Sequence, residues 1–386
     1  MREIYLDNAA TTPMYPEAIE AMHEVLKNVY GNPSSTHSFG RKAKSLLENS
    51  RKELAELLNC KSHEICFTSG GTEADNTAIR SAVNHMGVKN IITSKLEHKA
   101  VLDTSVLMEK MNLAKIHWVE NDEQGHINYD HLKHLANNNR NCLITIMHAN
   151  NEIGTLNNLE FIQEIGKQNN AIVHSDTVQT IGHFPIDLSS ISLDFIAAAA
   201  HKFHGPKGVG FLYCNKRNNL KGLITGGGQE SNRRAGTENV AGIVGMVTAL
   251  KKSSETMQVN AKKMREMKNY LIEKLRSEIP QLGFFGDISE NSLYTVLSIA
   301  LPQRFNASIL PFQLDMKGIC ISAGSACNSG AVKGSHVIEA LKSNTNQHPL
   351  RVSISEFNSY EDLDYFVASL KTLDVSQEKS VAEAKN

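Results

Sequence analysis

Ala171-Ile172-Val173-His174-Ser175-Asp176 and Asp194-Phe195-Ile196-Ala197-Ala198-Ala199-Ala200-His201-Lys202 are two short apolar runs, each ending in residues that carry chemistry. Runs of this length without alternation read as strands buried on both faces. The same texture recurs outward from them, at residues 65–68, 90–93, 116–119, 142–147 and 209–213, mostly separated by polar or helical stretches. This alternation predicts a largely parallel α/β sheet covered on both faces. Ile19, Met22, Leu26 and Val29, then Ala43, Leu46, Leu47, Leu54, Leu57 and Leu58, recur at helical spacing and predict two amphipathic helices ahead of the sheet. Met264, Met267, Leu271, Leu275 and Ile279 mark a long helix leading into strand-like runs at 293–301, 318–321 and 350–354. A large domain over 13–257 is expected, with a smaller α/β domain formed by 1–12 and 258–373. Residues 374–386 lack aromatics and any apolar period, so a flexible tail is expected there.

The 386 residues suffice for two to three domains and a sizeable core. Forty Lys and Arg against 41 Asp and Glu leave a net charge of -1, which supplies no basic field for nucleic acid or anionic lipid. The most apolar stretches, 193–200 and 240–250, fall short of the roughly 20 residues that cross a bilayer. Glu3 and Asp7 interrupt the place where a secretory leader needs an apolar run, so a cytoplasmic location is expected, with no membrane and no direct nucleic-acid partner. Cys60, Cys66, Cys142, Cys214, Cys320 and Cys327 form no C-x-x-C pair, and no metal site is expected.

Ser69-Gly70-Gly71-Thr72-Glu73 joins an apolar run to a helical pattern. Small residues there let backbone N–H groups close on an anion, although a Gly-Gly turn is also an ordinary connector. Asp176 and Lys202 each follow an apolar run, and in a parallel sheet both reach the carboxyl edge, where α/β proteins place ligands. A simple ion pair is one reading of them. The other is pyridoxal 5'-phosphate, which needs a Lys for its Schiff base, an Asp for its pyridine nitrogen and a phosphate cradle.

A set of ordered motifs sharpens this. Tyr5-Leu6-Asp7-Asn8-Ala9-Ala10-Thr11-Thr12-Pro13, Thr68-Ser69-Gly70-Gly71-Thr72-Glu73, Glu97-His98-Lys99-Ala100-Val101, Asn150-Asn151-Glu152-Ile153-Gly154, His201-Lys202 with Gly205-Pro206-Lys207-Gly208, Arg234-Ala235-Gly236-Thr237 and Ser322-Ala323-Gly324-Ser325-Ala326-Cys327 occur in this order. From about residue 4 to about residue 365 the chain resembles the cysteine desulfurases. The resemblance implies the type I fold of pyridoxal-phosphate-dependent transferases (aspartate-aminotransferase-like), and a homodimer with its site between subunits. It implies that Lys202 bonds the cofactor, Asp176 pairs with the pyridine nitrogen, Gln179 meets the ring oxygen and His98 stacks on the ring and relays protons. Asn151 would lie beside the cofactor and substrate. Gly71, Thr72 and His201 would hold the phosphate, with Thr237 reaching it from the other subunit, and Arg351 would grip the substrate carboxylate.

Cys327 lies in a run of small residues, 322–330, read as part of an active-site loop at about 322–335. The loop's composition resembles the long-loop desulfurases, related to the NifS and IscS type. That implies conversion of L-cysteine to L-alanine with a persulfide on Cys327, passed to a sulfur-acceptor protein such as an iron-sulfur scaffold or a thiolation protein. A related aminotransferase or lyase, and a weakened sulfur-carrier scaffold, are the alternatives; Cys327 argues against the first, and retained Lys202, Asp176, His98 and Cys327 against the second. Two departures stand out. Ala199 occupies the position, three before the lysine, where the family usually has a phosphate-binding serine, and Ile354-Ser355-Glu356-Phe357 replaces a usually basic, glycine-containing segment after Arg351.

Overall fold

The computed structural model describes residues 3–322, 334–341 and 347–374. Cys327, most of the 322–335 loop and the segment 375–386 lie outside the described residues. The chain opens with β1 (Ile4–Tyr5), α1 (Pro16–Asn28) and α2 (Ser38–Leu57). Then β2 (Ile65–Thr68), α3 (Gly71–His85), β3 (Asn90–Ser94), α4 (Lys99–Lys110), β4 (Lys115–Val119), α5 (Tyr129–Asn138), β5 (Cys142–Thr145), α6 (Leu159–Gln168) and β6 (Ile172–Asp176) alternate. They are followed by β7 (Phe195–Ala199), β8 (Gly210–Cys214), the single turn α7 (Gln229–Asn232) and the long α8 (Val240–Glu278). The remainder comprises β9 (Gly283–Phe285), β10 (Val296–Leu301), α9 (Leu310–Asp315), β11 (Ile319–Cys320), α10 (His336–Ala340), β12 (His348–Ser353) and α11 (Tyr360–Thr372).

Seven strands form one sheet in the order β2-β8-β7-β6-β5-β3-β4, in which only β8 runs against its neighbours. The strands β2, β3, β5, β6 and β7 therefore end on the same edge. Local chemistry sets the punctuation around them. Asn128, Asn158 and Asn239 cap α5, α6 and α8 through side-chain oxygens, satisfying backbone N–H groups that a helix start leaves open. Asn59, Asn112 and Asn170 take left-handed backbone just past α2, α4 and α6, a conformation Asn tolerates better than most residues.

Two large apolar clusters form. The first gathers Ile65, Phe67, Ile144, Val173, Ile196 and Phe211 of the sheet with Met246, Val247 and Leu250 of α8. The second gathers Ile4 and Leu6 with Met264, Met267, Leu271 and Leu275 of the same helix and the three-stranded sheet β12-β10-β9. Helix α8 thus runs unbroken from one core to the other, and residue 257, where a domain boundary is expected, lies inside it.

Glu356 ties these parts together. Its carboxylate accepts from the Tyr15 hydroxyl and, at 3.1 Å, from Asn260 Nδ2 on α8, and lies 3.1 Å from His204 Nε2. Burial raises this carboxyl, but the His204 ring and the Tyr15 hydroxyl outweigh it and hold the group down at about 2. A carboxyl held below its unfolded value of 4.5 contributes stability above that pH and loses it as pH falls toward 2. At about 1.4 kcal/mol per unit, the contribution at neutral pH is about 3 kcal/mol. Glu356→Gln is expected to lower the thermal midpoint by about 3 to 6 °C at pH 7, with the gap from wild type closing as scans move below about pH 4.5.

Candidate active site

At the shared carboxyl edge lies a cavity of about 260 Å³, lined by Ala9, Ala10, Gly71, Thr72, Asp75, His98, Asn151, Asp176, Gln179, Ala199, His201, Lys202, His336 and Arg351 among others. Five strand ends and two segments from the second core converge there. The turn after β2 shapes one wall. Gly70 has φ of 153°, a region L side chains rarely enter, and a Cβ on Gly71 would stand 2.5 Å from Val178 Cγ2. Both positions therefore require glycine, and the turn delivers the α3 N-terminus, with its open N–H groups, to the cavity.

The β6 and β7 ends bring the charges. Asp176 is buried, accepts from Val178 N at 2.9 Å, and its carboxyl is pushed up by burial against the opposing pull of His98 and Lys202. Lys202 Nζ donates to the carbonyls of Ala9 at 2.5 Å and Ala10 at 2.8 Å, so the N-terminal segment holds the amine over the strand ends. Gln179 Nε2 donates to the same Ala9 carbonyl at 3.2 Å. Beside Lys202, the His201 ring is held low, at about 4, by burial and by the charges of Lys202 and Lys207, and its buried Nδ1 lacks a hydrogen-bond partner among the described residues.

On the other walls, His98 Nδ1 accepts from Ala100 N at 3.2 Å and caps α4. Arg351, on β12, is 2% exposed; its Nη2 donates to Asp7 Oδ1 at 2.8 Å and its Nη1 to the Asn151 carbonyl at 3.1 Å, while Nε has no partner among the described residues. Sequence reading missed His336, which lines the cavity and, through Nε2, donates to the Glu97 carbonyl at 3.0 Å. No local pattern around His336 signals this. Asp75 was missed too, although its spacing of four from Gly71 puts both on one face of α3. Thr237 lies elsewhere, bordering a neighbouring cavity with Ser69 and Gly208.

The donor set suits a phosphorylated aromatic aldehyde: an α3 N-terminus and an unpartnered His201 nitrogen for the anion, a buried carboxyl for a ring nitrogen, and an amine that can bond a carbonyl carbon. The family model for class-V aminotransferases matches residues 4–366. The chain belongs to the class-V aminotransferases. It is 40% identical over 97% of its length to a protein named cysteine desulfurase IscS from Dictyoglomus turgidum, covering 93% of that protein. A Clostridium botulinum protein of the same name is 38% identical, with 96% and 94% of the two chains aligned. Among solved structures, a NifS-like protein superposes with a TM-score of 0.88 at 34% identity, over 96% of this chain and 99% of that one. SspA in complex with cysteine gives 0.79 at 28%, over 92% and 100%. This class-V member has the type I fold of pyridoxal-phosphate enzymes, and pyridoxal phosphate is its cofactor.

Proposed function

We infer that the residues around this cavity divide the work of cysteine desulfuration. The chain is a pyridoxal-phosphate-dependent cysteine desulfurase, taking sulfur from L-cysteine and leaving L-alanine. The single observation that carries the division of work is the convergence of Lys202, Asp176, His201, the α3 N-terminus and Arg351 on one cavity. Pyridoxal phosphate, held covalently by Lys202, supplies an electron sink that lets bonds at the substrate α- and β-carbons break.

Gly71 and Thr72, at the α3 N-terminus, and His201 receive the phosphate. Asp176 holds a proton on the ring nitrogen by presenting its carboxylate, Gln179 meets the ring oxygen, and His98 and Asn151 border the ring. Lys202 Nζ, held in the cavity by the Ala9 and Ala10 carbonyls, would be the group that moves the proton off the substrate α-carbon. Arg351 binds the carboxylate, its fork already oriented by Asp7 and the Asn151 carbonyl. Arg351→Lys keeps the charge and loses the fork, so KM for L-cysteine is expected to rise about tenfold or more in steady-state kinetics, with the cofactor band unchanged.

Cys327 as thiolate attacks the substrate sulfur: an S–S bond forms, the Cβ–S bond breaks, and its electron pair stays with carbon, which is protonated on the way to alanine. The persulfide left on Cys327 is the form passed to a sulfur-acceptor protein. A homodimer, with Thr237 of one copy meeting the cofactor phosphate of the other, accords with the separation of Thr237 from the cavity of its own chain.

Ala199 is buried on the cavity wall, and the ideal Cβ of Gly71 lies 3.8 Å from its methyl. A hydroxyl there would add one hydrogen bond to a charged phosphate, about 1.5 to 3 kcal/mol, or roughly ten- to a hundredfold in affinity. Ala199→Ser is therefore expected to tighten cofactor binding by that factor, measured as the dissociation constant after dialysis. An unchanged or weaker constant shows that the phosphate already has another ligand. The function itself is tested by product analysis: L-cysteine should give L-alanine, where an aminotransferase would give a keto acid.

A further inference from the structure

Beneath the cavity lies a row of buried polar groups that the assigned roles leave unused. His174 and Asp176 stand two apart on β6 and so share one sheet face, which α3 packs against. From α3, Asp75 Oδ1 comes within 3.3 Å of His174 Nε2, and His174 Nδ1 lies 2.8 Å from Thr145 Oγ1 on β5. Asp75 is 1% exposed and His174 0%. Asp75 Oδ1 and His174 Nε2 each lack a hydrogen-bond partner among the described residues, so the 3.3 Å approach leaves two buried polar atoms facing each other without a formed bond. Asp75 also lines the cavity, with a carboxyl oxygen within 4.8 Å of Asp176 and of a His98 ring nitrogen.

The groups that face Asp75 are Asp176 and His174 from β6, Glu97 and His98 from the segment before α4, and Lys202 after β7. Burial raises both carboxyls first; the His98 ring and Lys202 pull Asp176 back down, whereas the neighbouring acids Asp176 and Glu97, the latter itself held up at about 8 by burial, push Asp75 further up. Burial and these acids push the Asp75 carboxyl well above the carboxylate range, and burial holds His174 down at about 3, hence neutral. A proton between Asp75 and His174 would satisfy both of these buried atoms. If it came from His174, a second carboxylate would stand uncompensated beside Asp176.

We propose that Asp75 is a positioning residue that keeps its proton at neutral pH and donates it to His174 Nε2, so that the ring nitrogen of bound pyridoxal phosphate faces one negative charge, on Asp176. His174 then donates from Nδ1 to Thr145 Oγ1, and the row Asp75–His174–Thr145 braces the floor of the site. This inference rests on the reading of Asp176 as the ring-nitrogen partner.

Binding of pyridoxal phosphate to the cofactor-free protein, followed by absorbance between about pH 6 and 9, tests it. Asp75→Asn keeps a donor to His174 without a charge and should match wild type within about threefold at every pH, with the same band position. Asp75→Leu removes the donor and should weaken binding about tenfold; Asp75→Ala serves if the leucine variant does not fold. A tenfold change or an altered pH slope in Asp75→Asn would mean that the group carries charge and would overturn the proposal. So would wild-type binding by the apolar variant. Asp176→Asn is the separate control: wild-type affinity there removes the ring-nitrogen reading, whatever the Asp75 variants do.

Discussion

Lys202→Ala is expected to lose the yellow absorption band of the bound cofactor and to reduce turnover of L-cysteine by about 10⁴-fold, the upper range for loss of a positioned proton-transfer group. Two things are lost together: the bond that retains the cofactor and the amine that moves the α-carbon proton. The amine is placed for both, since the Ala9 and Ala10 carbonyls hold Nζ in the cavity that Asp176 also lines. Lys202→Arg separates this from a plain ion pair with Asp176. It restores the charge, yet neither the band nor turnover should return, because guanidinium stays protonated and forms no such bond. Spectra and turnover recorded on the same preparations decide the matter. Retention of both in the arginine variant would leave Lys202 an electrostatic role only.

Cys327→Ala is expected to keep the cofactor band and its response to L-cysteine, while persulfide and sulfide formation fall to background. The described cysteines support this choice by elimination. None of Cys60, Cys66, Cys142, Cys214 and Cys320 lines the cavity. Burial pushes the thiols of Cys60, Cys66 and Cys214 up to about 12 and that of Cys142 to about 11. Cys320 is also raised, by burial and then by Asp315 and other acids around it. Thiols raised to about 11 or 12, as those of Cys60, Cys66, Cys142 and Cys214 are, hold almost no thiolate at neutral pH, and thiolate is the nucleophile; Cys320 is excluded because it does not line the cavity. Cys320→Ala should therefore retain desulfuration. Sulfide release that survived in Cys327→Ala and vanished in Cys320→Ala would reverse the assignment.

The strands of the large sheet were legible because burial on both faces leaves an apolar run with clear ends. Residues 65–68 are β2 as read, and the apolar part of the run that opens at Asp194 is β7, Phe195–Ala199. The edge strand β9 escaped notice: three residues pairing only with β10 leave too little pattern. Helix α8 was divided in the reading because its burial changes along its length. Ile243 to Leu250 pack into one core and Met264 to Leu275 into the other, with polar residues such as Lys252 and Glu255 between. At the site, Gly71, Asp176 and Lys202 could be found because each lies at, or within three residues of, the carboxyl end of a strand. Arg351 was reached through resemblance, and His336 depends on how α10 is laid against the Glu97 segment, which no local pattern encodes. Asp75 was within reach, since a helical spacing of four from Gly71 already aimed it at the same ligand.

The most direct measurement is a single turnover of the cofactor-loaded protein with one equivalent of L-cysteine, quenched and analysed by mass spectrometry alongside amino-acid analysis. The expected result is one L-alanine released for each sulfur atom gained by the protein, with that atom on the peptide containing Cys327. A keto acid in place of alanine, or alanine without sulfur on that peptide, would contradict it.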